Sequence, residues 1–177
     1  MGNDAFDTLM GSMDNPLIVV TAAAGEERAG CLVGFHTQSS IDPERYCVWL
    51  SKANHTYRVA LRATHLGIHF LTRDDLALAE RFGTLTGDTT DKFAGLRTEA
   101  GAGNVPLLSD CGNRLLVRRT TLVDEGADHV CIATEMLTAE TAGPFEPLRL
   151  SEVGHLTPAH EADERHDPPT ERAVPTG

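Results

Sequence analysis

Three short segments of this chain carry residue types that can do chemistry. In the first, Thr37, Gln38, Ser39 and Ser40 place three hydroxyls, an amide and several backbone N–H groups in four consecutive residues. Such a run can cradle a phosphate or line a heterocycle with hydrogen bonds. Ser and Thr also gather in plain solvated turns. The second segment is Ser51-Lys52-Ala53-Asn54-His55-Thr56. Here a strand ends, a lysine follows, and Asn54 and Thr56 open a helix. The first N–H groups of a helix attract anions, and Lys52 would add a full charge. Asn54 acting as an ordinary N-cap gives the same pattern with no ligand. The third is Gly126-Ala127-Asp128-His129, a turn before a strand. A histidine there can face a ligand or merely finish the turn.

The elements that must hold these segments are mostly short strands. Leu17–Ala23 is rich in β-branched residues and reads as a buried strand. Gly25-Glu26-Glu27-Arg28 reads as a hairpin turn and Gly30–Phe35 as the returning strand. His36–Pro43 is polar and reads as a loop, and Tyr46–Ser51 as the next strand. A helix is expected over about 56–64, with Val59, Ala60 and Ala63 at helical spacing. Gly67–Thr72 follows as a strand, and Asp74 or Asp75 caps a second helix ending at Gly83. Thr84–Asn104 reads as an excursion containing Lys92-Phe93-Ala94-Gly95-Leu96. Arg114–Val123 and His129–Leu137 flank a turn and read as a hairpin, with one more short strand at Pro147–Leu150. Together these give a mainly β fold with helical additions, a closed or nearly closed barrel. No G-x-G-x-x-G fingerprint follows a strand, so a Rossmann nucleotide site is not expected.

Composition narrows the function classes. Lys plus Arg is 15 against 26 Asp plus Glu, a formal net charge of −11. That balance argues against nucleic acid and against anionic membrane surfaces. The apolar runs span only a few residues, and residues 1–11 lack the basic start of a signal peptide. Cys31, Cys47, Cys111 and Cys131 form no C-x-x-C pair and read as buried free thiols of a cytoplasmic protein, with no metal site expected. Residues 1–14 read as a flexible lead-in and 15–156 as one domain. The last 21 residues hold four of nine prolines and five acidic residues, so 157–177 reads as a disordered acidic tail.

Taken together and in this order, the segments resemble the flavin reductase family, which has the FMN-binding split β-barrel fold. The resemblance runs from Val19 to Pro43 and from Val48 to Gly83. It continues through the Asp-Lys-Phe segment in Thr86–Gly95 and the turn and strand at Gly126–Met136. Ala127 interrupts what many relatives write as Gly-Asp-His. Cys31-Leu32 follows Gly30 where many read Gly-Met-Thr, and Glu44 follows Pro43 where many have a second proline.

The resemblance implies an NAD(P)H:flavin oxidoreductase passing hydride from NADH or NADPH to FMN or FAD. In it Thr37, Gln38, Ser39 and Ser40 would line the flavin ring and ribityl chain. Ser51, Lys52, Asn54 and Thr56 would hold the phosphate. His129 would sit at the incoming nicotinamide as the catalytic position, and Lys92 and Phe93 would close over the site. It further implies a homodimer, and reduced flavin passed to a monooxygenase component. Alternatives on the same fold are a flavin-binding protein without reductase activity, or a pyridoxamine-phosphate-oxidase-like or deazaflavin-dependent enzyme.

Overall fold

The alternation of apolar and polar residues is resolved by a seven-stranded antiparallel sheet in a computed structural model, which describes residues 3–157. The strands are β1 (Ile18–Ala24), β2 (Glu27–Val33), β3 (His36–Ser40), β4 (Arg45–Ser51), β5 (His65–Phe70), β8 (Arg114–Val123) and β9 (His129–Glu140). They lie in the order β2-β1-β5-β8-β9-β4-β3. The sheet curls so that β2 and β4, far apart in that order, approach one another. A separate two-stranded ribbon joins β6 (Thr98–Ala100) to β7 (Pro106–Leu108). Among the described residues the α-helices are α1 (Asp4–Met13), α2 (His55–Ala60) and α3 (Leu76–Thr84).

Strand β1 shows why the barrel has a cover. A strand buried on one face alternates, but Ile18 to Ala23 are all buried. Ile18, Val20 and Ala22 point into the curled sheet, where α2 contributes Val59 and Ala60 alongside Val48, Leu50, Leu66, Ile68 and Ile132. Leu17 and Val19 point the other way, into a second core with Ala79 and Phe82 of α3, Phe93, Leu108 and Leu148. Each such aliphatic side chain contributes about 1.5–3 kcal/mol on burial. Gly30 of β2 lets this outer layer approach closely, since a Cβ there would lie 2.7 Å from Phe82.

Several expectations need correcting. The lead-in is helical, because Asn3 accepts from the N–H groups of Ala5 and Phe6 and caps α1. The polar stretch after Phe35 is not a loop. Residues 36–40 form β3, paired with β4 through His36↔Val48, Thr37↔Cys47 and Gln38↔Tyr46. Hydroxyls suit an edge strand that faces water, so this polarity marks an edge rather than a turn. Helix α2 is shorter than expected and ends at Ala60. Pro147 and Arg149 make only isolated bridges, to Thr72 and Pro16. Cys47 and Cys131 are half-buried rather than buried. The tail, from residue 158 onward, lies outside the described residues. Among the described residues no helix is long and apolar enough to cross a membrane.

Candidate functional site

Period-two alternation puts Trp49 and Ser51 on one face of β4, and the register sets Ser51 opposite His129 of β9. Phe35 joins this group by accepting the Trp49 N–H at 2.9 Å through its carbonyl. Its ring lies 5.1 Å from that of His129. Around these residues opens a pocket of about 410 Å³, within the usual range for small-molecule sites. Leu17, Leu32, Val33, Leu150 and Val153 make its walls apolar, and Phe35 and Trp49 supply aromatic surface. Ser51, Asn54 and His129 bring polar atoms to it.

The polar residues are oriented by local bonds. His129 Nδ1 lies 3.1 Å from Asp128 Oδ1. The hydrogen bond from His129 holds the Asp128 carboxyl below its usual range. With Nδ1 committed, Nε2 is the ring atom available to a ligand. Asn54 Oδ1 accepts the Thr56 N–H at 2.9 Å, so part of the Asn54 side chain serves as the α2 cap. The Lys52 backbone N–H donates to Asp128 O, which ties the end of β4 to the turn carrying His129. Burial pushes the Cys31 thiol up, so this pocket sulfur stays protonated and is no nucleophile.

The structure brings together only some of the residues singled out in the sequence. Ser51, Asn54 and His129 share the pocket. Thr37, Gln38, Ser39 and Ser40 lie on β3; Gln38 to Ser40 line a shallow open depression with Ile41 and Asp42 instead. Lys52 Nζ pairs with Asp124 at 2.8 Å. Thr56 is buried in the fold.

Lys92 and Phe93 do not form a movable cover. Lys92 is 4% exposed, and its ammonium donates to Gly30 O at 3.0 Å and Phe82 O at 3.1 Å. Burial lowers its pKa. Phe93 packs edge-on against Phe82 at 5.5 Å. Both residues border a second, polar pocket of about 530 Å³ with Arg28, His55 and Asp88. His55 there lies 3.1 Å from Glu27 and 3.2 Å from Asp88, and Arg58 and Arg62 pair with the same two carboxylates.

Phe35, Trp49, Cys31 and Leu32 also line the pocket, and the sequence motifs do not point to them. Alternation along Tyr46–Ser51 places Trp49 with Ser51 and could have found it. Nothing local links Phe35 to His129, ninety-four positions away. His65 and His69 stand four apart, but on β5 that spacing separates them by about 13 Å. His69 is instead held by Val19 O and the Leu108 N–H. Among the described residues no cluster of three or more His, Cys, Asp or Glu could hold a metal ion.

Comparison with known proteins gives the family and the fold. The family model for the flavin reductase like domain matches residues 10–151. FMN reductase (NADH) SmoA of Agrobacterium fabrum is 30% identical over 135 residues, which cover 76% of this chain and 75% of that protein. High molecular weight rubredoxin of Moorella thermoacetica is 30% identical over 122 residues, and the match spans only 52% of that longer protein. In structure, a flavin reductase domain protein from Arthrobacter sp. FB24 superposes with a TM-score of 0.71 at 20% identity. That match covers 83% of this chain and 92% of the other. The curled sheet with its helices is thus the split barrel of flavin reductases, and the chain belongs to the flavin reductase like domain family.

Proposed function

We propose that the protein is an NAD(P)H:flavin oxidoreductase whose working site is the pocket bounded by Phe35, Trp49, Ser51, Asn54 and His129. The observation that carries this reading is the pocket itself: apolar and aromatic walls of a size for a planar ring, with three polar side chains converging on it. The name of the Agrobacterium relative makes FMN and NADH the first pair to try. FAD and NADPH remain in the proposal as the alternative pair.

The pocket residues fit a flavin. Phe35 and Trp49 offer faces for a planar heterocycle. Ser51 Oγ, the Asn54 amide and His129 Nε2 can bond its polar edge or a ribityl hydroxyl. The flavin, when bound, supplies the hydride-accepting chemistry, so the chain needs no acid–base pair of its own. The chain's tasks are to orient the two rings and to exclude water, and good orientation can lower the barrier by about 7–11 kcal/mol. The His129 position, fixed through Asp128, is where the nicotinamide would be met. Helix α2 has six residues and Asn54 already uses one of its N–H groups. A phosphate would therefore rest mainly on Ser51, with Lys52 joining it by exchanging its Asp124 partner for the phosphate.

Thr37 to Ser40 enter the proposal as the far wall for a ribityl or nucleotide portion extending along β3. Lys92 and Phe93 act beneath the site by fixing Gly30 next to Cys31. The proposal includes a cytoplasmic homodimer that hands reduced flavin to a monooxygenase component. The apolar side chains Phe6, Leu9, Met10 and Met13 form one exposed face of α1, which supports self-association.

The test is direct. Purified protein is mixed with FMN or FAD and then NADH or NADPH, and loss of the reduced-nicotinamide absorbance is followed. Turnover with a flavin-dependent rate is expected. A yellow protein that binds flavin without turnover would instead establish a flavin carrier, and absence of both binding and turnover would refute the reading. Light scattering reads the dimer separately.

A further inference from the structure

Cys47 and Cys131 lie on adjacent strands, beside the pocket and on the same sheet face as Trp49. The register pairs Cys47 with Ala133 and Trp49 with Cys131. The Trp49 N–H donates to Phe35 O, so the odd-numbered residues of β4 turn their backbone groups away from β9. Towards β9 they are therefore non-hydrogen-bonded pairs, the kind in which side chains pack closest. The two cysteines are the diagonal neighbours of that arrangement, close enough for their thiols to act on one another. Both are half-buried. They are flanked by exposed Thr37, opposite Cys47, and exposed Val123, opposite Cys131, so a small oxidant reaches them from solvent.

We propose that Cys47 and Cys131 are a redox-active thiol pair that a peroxide converts to an intrachain disulfide, altering the pocket through Trp49. The first step is attack by the Cys47 thiolate on hydrogen peroxide, giving a sulfenic acid and hydroxide. In the second step the Cys131 thiol condenses with it, forming the S–S bond and releasing water. Two thiols and one peroxide thus give one disulfide and two waters. A dithiol such as dithiothreitol reverses it.

The roles follow from the surroundings. Burial, together with Cys47 and Glu125, pushes the Cys131 thiol up. It suits the resolving partner rather than the attacking one. Cys31 and Cys111 are buried in the cores and lie outside the reaction. A bond along this diagonal draws β4 against β9 beside Trp49, Ser51 and His129. The consequence for flavin rests on the proposed function; the thiol chemistry does not.

The chain has one tryptophan, so Trp49 reports on the pair directly. The full-length protein is reduced, desalted and treated with hydrogen peroxide. The expected result is loss of the mass of two hydrogens and a Cys47–Cys131 linked peptide in a non-reducing map. Trp49 fluorescence should fall, and dithiothreitol should restore it. Cys131→Ser should stop at a sulfenic acid on Cys47 that dimedone traps, and Cys47→Ser should leave Cys131 reduced at the same dose. Persistence of both thiols, linkage through Cys31 or Cys111, or equal oxidation of Cys131 in the Cys47→Ser protein would overturn the proposal. FMN titration of the reduced and oxidised forms completes the test. Weaker binding to the oxidised form is expected, and equal affinity would remove the coupling to the pocket. Failure of the reduced protein to bind FMN would count against the flavin reading while the mass and fluorescence results still decide the thiol pair.

Discussion

Lowering the pH from 7 to 5 should destabilise this fold chiefly through His69. Its imidazole is buried between the layers, with Nδ1 3.2 Å from Val19 O and Nε2 accepting the Leu108 N–H at 2.9 Å. The ring must therefore be the neutral Nδ1–H form. Protonation would put a second proton where Leu108 already donates. Burial is the main cause that pushes its pKa down to about 4, with Arg114 acting in the same direction.

In the unfolded chain the value returns to about 6.5. Between these values the unfolded state binds more protons, so stability falls as pH falls. Linkage puts the loss at about 2 kcal/mol between pH 7 and 5, or a fall of about 4–8 °C in Tm for a chain of this size. His36 is lowered by burial and adds in the same sense. Asp14, Glu27, Asp88, Asp124 and Asp128 are held below their usual range. Their stabilising effect is lost only below the ordinary carboxylate range. The assay is urea unfolding at pH 7 and pH 5 on the natural chain and on His69→Gln. Glutamine can donate to Val19 O and accept from Leu108 without titrating, so the pH dependence should shrink by that amount. An unchanged difference between pH 7 and 5 in His69→Gln would refute the reasoning.

Three further outcomes follow from the site and its support. His129→Ala should lower kcat/KM for flavin-dependent NADH oxidation by roughly two- to tenfold, the loss of one hydrogen bond to a bound ligand. Steady-state kinetics at unchanged Tm checks it. Gly30→Ala should cost about 1–3 kcal/mol by overpacking, because its Cβ would meet Phe82 at 2.7 Å and Phe93 at 3.3 Å; urea unfolding measures it. Asn54→Ala should lower stability by about 1 kcal/mol through loss of the α2 cap and weaken FMN binding as well. A titration that found only the stability change would remove Asn54 from the site.

The sequence by itself determined most of the strands and two helix starts. Hydrophobic alternation and β-branched runs mark Ile18–Ala24, Arg45–Ser51 and the Arg114–Glu140 hairpin, because strand periodicity is local. Asn54 marked the start of α2 for the same reason. The three chemical segments were also legible, and two of them supply Ser51, Asn54 and His129 to one pocket.

Only the tertiary structure decided the rest. Thr37 to Ser40 read as a loop because an edge strand facing water needs no apolar alternation, and its pairing with β4 is not written in its own residues. The resemblance implied that Lys92 closes over the site, but packing of α3 on β2 left two carbonyls, Gly30 and Phe82, for it to satisfy in the interior. Phe35 meets His129, and Cys47 meets Cys131, through strand register. Register is a long-range choice: a one-residue slip would turn each of these side chains to the opposite face. Burial of Val48, Leu50, Val130 and Ile132 on the inner face selects the register that forms.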